Sequence, residues 1–263
     1  MSRTKTSFNV TEEKSVRLAV LIDADNASAR DVKAILEEVV KFGDATVKRI
    51  YGNFVGNNGQ WKQVINDCAI KPMQQFAFTT GKNATDGFMI IDAMDLLYSN
   101  RLDGFCIVSS DSDFTALAIR LKEQGLPVYG FGKKQTPTAF INACTQFIYV
   151  ENLAQEEIKS DNKENTSAPS NTSTAITPPS SDTKPAFLPM DTIRKIFEQF
   201  DSEWVAITAL GSTWRRLQAD FDPRNYGCAK FTTLVKKHPD VFEYEIRKNA
   251  EGNQEHMYVK FKG

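Results

Sequence analysis

The stretch Leu-Ile-Asp-Ala-Asp-Asn, residues 21–26, ends the apolar run Leu18 to Ile22 and turns at once to acidic and amide side chains. An apolar run that stops at turn-forming residues reads as a buried strand, with Asp23 at its carboxyl end. The pattern recurs where the run Phe105 to Val108 passes into Ser-Ser-Asp-Ser-Asp-Phe, residues 109–114. Between the two, Asp86 opens a long apolar helix. In a parallel α/β sheet, the carboxyl ends of neighbouring strands share one crevice, where ligands bind. Carboxylates gathered there repel, by about 4 kcal/mol for a pair about 4 Å apart at an effective dielectric of about 20. A divalent cation is the simplest offset, and oxygen donors favour Mg²⁺ or Mn²⁺.

Each aspartate also has a local role open to it. Asp86 could favour the positive end of its helix, Asp111 or Asp113 could cap the helix at Phe114, and Asp25 with Asn26 could form a turn. Such roles explain residues singly, but not acidic pairs at two strand ends in one crevice. Asp23 directly follows its strand and should point into that crevice. Asp92 and Asp95 turn away from Asp86 at about 100° per residue, which leaves Asp92 as a supporting or buried structural residue.

Around these motifs strands and helices alternate. Arg17 to Ile22, Thr46 to Tyr51, Met73 to Phe78, Gly104 to Val108, Val128 to Phe131 and Phe147 to Val150 read as strands. Val32, Ile35, Leu36, Val39 and Val40 form the apolar stripe of a helix capped by Ser28 and ended by Gly43. Trp61 to Cys68, Thr85 to Tyr98 and the segment from Phe114 to Gly125 are further helices, the second apolar almost all round. Alternation of this kind predicts an α/β fold with a mostly parallel sheet and helices on both faces.

Residues 155–185 are dense in Ser, Thr, Asn, Pro and charge, with Ile158 and Ile176 as the only large apolar side chains. Such a segment cannot bury enough surface to offset its ordering entropy and reads as a disordered linker. Beyond it, Met190 to Phe200, Ala209 to Ala219 and Lys230 to His238 read as helices, and Val241 to Ile246 and Met257 to Phe261 as two strands. Three helices and a hairpin suggest a small winged helix-turn-helix domain. The expected organisation is a tail at 1–15, an α/β domain at 16–154, the linker at 155–185 and the winged domain at 186–263.

The chain has 263 residues and a net charge of −1, which excludes a globally basic polyanion binder but not a local basic face. Its four cysteines form no C-x-x-C pair and suggest neither a zinc site nor a disulfide framework. Met1 to Lys14 is polar, and no apolar run approaches the length of a membrane span, so a cytoplasmic protein without membrane contact is expected. Lys82, just before Asp86, could hold a phosphate or be a solvated loop lysine. The Gly- and Asn-rich stretch 52–59 is a loop without the Walker pattern. Trp61 could stack on a base or anchor the loop. His238 and His256 stand apart and support no acid–base pair.

Residues 16–152 resemble the NYN domain, a branch of the PIN-like ribonuclease superfamily. The matching stretches are Leu-Ile-Asp-Ala-Asp-Asn at 21–26, Gly-Lys-Asn-Ala-Thr-Asp at 81–86 and Val-Ser-Ser-Asp-Ser-Asp-Phe at 108–114. The resemblance implies a three-layer α/β/α sandwich and a Mg²⁺- or Mn²⁺-dependent endoribonuclease. The family's acidic metal-binding and catalytic positions fall on Asp23, Asp86, Asp111 and Asp113, and its polar supporting positions on Asn26 and Ser110; Asp25 and Asp92 are further supporting candidates from the residue pattern. Residues 187–262 resemble the OST-HTH or LOTUS domain, through the stretches 204–212, 216–217 with 221–227, and 230–235. That resemblance implies RNA binding, or docking of a protein partner in some members. Arg215, Arg216, Arg224, Lys230, Lys236 and Lys237 gather in its turn and recognition helix, with Tyr226 available for stacking.

The combined reading is a metal-dependent endoribonuclease with a tethered RNA-binding module, Lys82 and Trp61 serving as possible substrate contacts. The alternatives are a non-catalytic RNA-binding adaptor and a phosphatase of the haloacid-dehalogenase type. The latter also places Asp-x-Asp after its first strand and uses the first aspartate as a covalent nucleophile.

Overall fold

The structure is a computed structural model that describes residues 15–55, 59–75, 84–153, 187–248 and 255–263. Six strands form the first sheet: β1 (Arg17–Asp23), β2 (Asp44–Gly52), β3 (Lys71–Gln74), β4 (Gly104–Val108), β5 (Val128–Gly132) and β6 (Gln146–Tyr149). Their order is β3-β2-β1-β4-β5-β6, and every neighbouring pair is parallel. The helices are α1 (Val32–Val39), α2 (Gly59–Asp67), α3 (Ala84–Tyr98), α4 (Thr115–Glu123) and α5 (Thr138–Ala143).

The central strands are apolar throughout because both sheet faces are covered. Ala19, Leu21, Phe105 and Ile107 face one core with Met89 and Ala93 of α3, Leu117 of α4 and Phe140 of α5. Leu18, Val20, Ile22, Cys106 and Val108 face the other with Val32 and Ile35 of α1, against which Trp61 and Val64 of α2 pack. The result is the expected α/β/α sandwich. Chain direction across the sheet reverses between β1 and β4, so the crevice beyond their carboxyl ends is the topological switch point.

Some local expectations fail for identifiable reasons. The Ser28 hydroxyl accepts from the backbone of Arg30 and starts a turn, while α1 begins four residues after Ser28. The helix stops at Val39, so Val40, placed on the apolar stripe, is 74% exposed. Helix α3 is less enclosed than its composition suggests, with Ile91 and Tyr98 exposed. Helix α5, only six residues long and introduced by Pro137, is too short for a periodicity to register. Strand β3 runs from Lys71 to Gln74, and Gln75 has left it; the rest of its expected continuation, residues 76–78, lies outside the described residues, as do the linker, residues 1–14 of the N-terminal tail and Lys82.

The C-terminal part has its own core. Helices α6 (Met190–Phe197), α7 (Ile207–Leu217) and α8 (Phe231–Lys237) pack against an antiparallel sheet of order β7-β9-β8, formed by β7 (Val205–Ala206), β8 (Phe242–Lys248) and β9 (Glu255–Phe261). Trp214 stacks on Phe221 with centroids 4.1 Å apart at its centre. A 3₁₀ turn, Pro223–Tyr226, links α7 to α8. The Asp222 carboxylate caps it by accepting from the Arg224 amide, and Gly227 leaves it at φ 69°, where glycine is favoured. Two-residue β7 gives no alternation to read and was not expected.

This C-terminal part lies against the β6 edge of the first sheet. The Phe147 amide donates to the Ala219 carbonyl at 2.8 Å, the Tyr149 hydroxyl to Asp220 at 2.7 Å, and the Asn152 amide to Asn225 at 2.7 Å. The contact covers an edge whose backbone groups would otherwise lack partners.

Candidate metal centre

Asp23 is fully buried at the end of β1. Its Oδ1 accepts from the Asp25 amide at 3.0 Å, and its Oδ2 from Asn26 Nδ2 at 2.7 Å and Ser109 Oγ at 2.8 Å. Asn26 is thus hydrogen-bonded directly to Asp23. The register explains Ser109: Ile22 pairs with Val108, so the next residues of β1 and β4 stand side by side. Ser110 was expected in a supporting place; the donor to Asp23 is Ser109, which the register of two parallel strands could have found. Ser110 Oγ instead accepts from the Lys133 amide at 2.9 Å and ties down the chain after β5. Gly132 permits this approach, because a Cβ there would meet the Ser109 carbonyl at 2.6 Å.

From Ser109 onward, hydrogen bonds set the acidic loop. The Asp111 amide donates to Ser109 Oγ at 3.1 Å, and Asp111 Oδ1 accepts from the Asp113 amide at 2.9 Å, which caps the 3₁₀ turn Ser112–Phe114. Buried Phe114 anchors that turn in the core. Asp86, in the first turn of α3, completes the group: Asp86, Asp111 and Asp113 each offer a carboxylate oxygen within 4.8 Å of the others. Asp23 stands outside this close trio, and its charge acts on Asp86 from the adjoining strand end.

The crowding appears in acidity. Burial first, then the charges of Asp23, Asp111, Asp113 and Asp25, raise Asp86 from 3.8 to about 6. Burial also raises Asp23, against the lowering effect of its three donors. All the donors are carboxylate oxygens, the set that suits Mg²⁺ or Mn²⁺, so the residues fit a divalent cation.

A stability consequence follows from Asp86. Between pH 4 and about 6 the folded chain holds this proton more tightly than the unfolded chain, so stability falls as pH rises through that window. Asp86→Asn removes the penalty. In metal-free buffer its melting temperature should exceed wild type at pH 7.5, with the gap closing near pH 4. Identical melting curves at both pH values would contradict the crowding.

Helix α3 is itself fastened to the sheet. Both Asp92 oxygens accept from Arg49 Nη1, at 2.5 and 2.6 Å, and Asp92 also accepts from the buried Tyr51 hydroxyl. Asp92 thus lies away from the trio and takes the structural role left open for it. Its partners Arg49 and Tyr51 come from β2, while Asp92 itself lies six residues along α3 from Asp86.

Comparison with known families bears on this centre. The model of the NYN domain matches residues 17–152, over half of the chain. The chain belongs to the NYN domain family. A second model, the OST-HTH/LOTUS domain, matches residues 188–254. An uncharacterised protein of Methanocaldococcus jannaschii is 29% identical over 120 residues, covering 44% of this chain and 47% of the relative. The chain therefore spans about half the length of that relative. Among solved structures, a protein of unknown function from Vibrio parahaemolyticus aligns with 52% of this chain and 94% of its own, at 16% identity and a TM-score of 0.45. An uncharacterised protein from Nitrosomonas europaea covers 36% of this chain and 92% of its own, at 28% identity and a TM-score of 0.29.

The NYN domain carries Asp25 exposed beside the centre and Trp61 half-buried against the second core, which favours the anchoring role for the tryptophan. In the OST-HTH domain Arg215, Arg216, Lys230, Lys236 and Lys237 are exposed. Lys236 sits over the Tyr244 ring at 5.8 Å, and Lys237 donates to the Tyr226 carbonyl at 3.5 Å. Two expectations need correction. Tyr226 is 4% exposed and packs in the C-terminal core, so it presents no ring face to a base. Arg224 is held between Asp222 and Glu38, at 2.6 and 2.9 Å, and serves the contact with the NYN domain rather than an open RNA surface. Among the described residues, no helix is long and apolar enough to cross a membrane.

Proposed function

We propose that this chain is a metal-dependent endoribonuclease whose OST-HTH domain holds the RNA, acting in the cytoplasm. The observation that carries the reading is the trio Asp86, Asp111 and Asp113 at the switch point of the sheet, beside Asp23. Asp86, Asp111 and Asp113 would hold Mg²⁺ or Mn²⁺, with Asp23 completing the negative field. Such an ion supplies an activated water and stabilises charge on the scissile phosphate. Asn26 and Ser109 hold Asp23 in a fixed orientation, and the Asp111 cap keeps Asp113 beside it. The Arg49–Asp92–Tyr51 cluster holds α3 so that Asp86 stays in register with the acidic loop. The organisation proposed is a nuclease domain at 16–154 and a winged domain at 186–263, joined by the segment 155–185.

The phosphatase alternative needs a carboxylate free to attack. Asp23 is fully buried and accepts from three donors, which speaks against that role. The test of the proposal is cleavage of labelled single-stranded RNA by the purified chain. Internal cleavage should require Mn²⁺ or Mg²⁺ and stop on adding EDTA. RNA binding without metal-dependent cleavage would make the chain a non-catalytic adaptor instead.

A further inference from the structure

A cleft of about 740 Å³ opens where the C-terminal domain lies against the first sheet. Its position is opposite to the carboxylates. Tyr129 and Gln146 are at the starts of β5 and β6, and Lys41 and Phe42 precede β2, so the cleft lies along the amino edge of the sheet. The seven residues of β1 separate the two edges by about 20 Å.

The lining is unusual for a chain of net charge −1. Five cationic side chains, Lys41, Arg215, Arg216, Arg224 and Lys230, face two acidic ones, Glu38 and Asp222. Two of the cations offset the two acids. The Lys41 ammonium donates to Glu38 Oε2 at 2.7 Å. The Arg224 guanidinium donates to Glu38 Oε1 at 2.9 Å and Oε2 at 3.1 Å, and to Asp222 Oδ2 at 2.6 Å. A surplus of three positive charges therefore remains on the walls. Arg215, Arg216 and Lys230 are exposed on α7 and at the start of α8, while Lys41 reaches in from the NYN side. Phe42 and Tyr129, stacked on one another at 4.3 Å, form the half-buried aromatic part of the NYN wall. Concave cationic walls focus an attractive field on a polyanion, and an aromatic surface beside them suits a single strand.

We infer that this interdomain cleft is a second RNA site, which binds the backbone of a single strand through Arg215, Arg216, Lys230 and Lys41, remote from the acidic centre. It exists only while the two domains stay in contact, because its walls come from both. The inference rests on the RNA-binding part of the proposed function and not on cleavage. An RNA long enough to reach both edges gains from two attachments, whereas a short one occupies either singly.

The test measures anisotropy of a fluorescein-labelled 20-nucleotide single-stranded RNA with the full-length chain in EDTA, where cleavage cannot intervene. Arg215→Ala with Lys230→Ala should weaken binding at low salt at least about tenfold. It should also flatten the log–log salt dependence by roughly 1.4, since each phosphate that a cation neutralises on a single strand contributes about 0.7 to the slope. Lys41→Ala should weaken binding in the same direction, and Lys195→Ala, a charge-matched change on α6 away from the cleft, should not. All these side chains are exposed, so folding is expected to persist, with circular dichroism as the check. Unchanged affinity and slope in the Arg215/Lys230 variant overturns the site, and an inert Lys41→Ala overturns its composite nature. Competition by an acidic peptide as strong as by unlabelled RNA would make the cleft a protein-docking site and overturn the assignment to RNA. Intact cleft binding with no cleavage in Mn²⁺ would remove the nuclease reading and leave this one standing.

Discussion

Asp111→Asn is expected to lower metal-dependent RNA cleavage by at least about a hundredfold, with the fold intact. Removing one preorganised electrostatic group typically costs about 3 kcal/mol of transition-state stabilisation or more, which is that factor in rate. The substitution is clean because Asn retains the oxygen that accepts from the Asp113 amide, so the capped turn keeps its shape while the charge is lost. Asp23→Asn is a poorer probe. The Asp23 carboxylate accepts on both oxygens, and an amide group would turn an N–H toward at least one of its donors. That change should cost stability of about 1–3 kcal/mol as well as activity, measurable by urea denaturation. Single-turnover rates for the two variants, beside their unfolding midpoints, separate the effects. Full activity in Asp111→Asn would remove this residue from the chemistry.

Arg224→Ala should have the largest effect on stability. It strips the counter-charge from Asp222 and one of two cations from Glu38, which keeps Lys41 at 2.7 Å; the Asp222 and Glu38 side chains are 8% and 7% exposed. Breaking a buried ion pair from one side costs about 3–5 kcal/mol, because the remaining charge is left without compensation. The loss should appear as a lower unfolding midpoint and as a larger radius of gyration by X-ray scattering, since Arg224 joins residues 186 apart in the chain. Adding Asp222→Asn should recover part of the stability by removing the stranded charge. A variant with wild-type stability and dimensions would show that the contact contributes nothing to holding the domains together.

Much of the fold was legible because the central strands are covered on both faces. Leu18 to Ile22 and Phe105 to Val108 are unbroken apolar runs for that reason, and each ends where its acidic loop begins. The acidic centre was legible for the same reason, as parallel strands deliver their carboxyl ends to one edge. What the sequence concealed depends on distance in the chain. Ser109 meets Asp23 through strand register, 86 residues apart. Arg224 and Tyr226 look like nucleic-acid contacts beside other cations, yet one is drawn to Glu38 and the other into the C-terminal core. Short elements such as β7 and α5 owe their form to the surfaces they meet and leave no periodicity of their own.

The measurement closest to the central claim is the initial rate of RNA cleavage as a function of Mn²⁺ concentration, for wild type and Asp86→Asn at pH 7.5. If Asp86 helps hold the ion that cleavage uses, the variant should need at least about tenfold more Mn²⁺ to reach half of its maximal rate. A variant whose rate follows the same Mn²⁺ dependence as wild type would contradict the assignment of this carboxylate cluster as the metal centre of the enzyme.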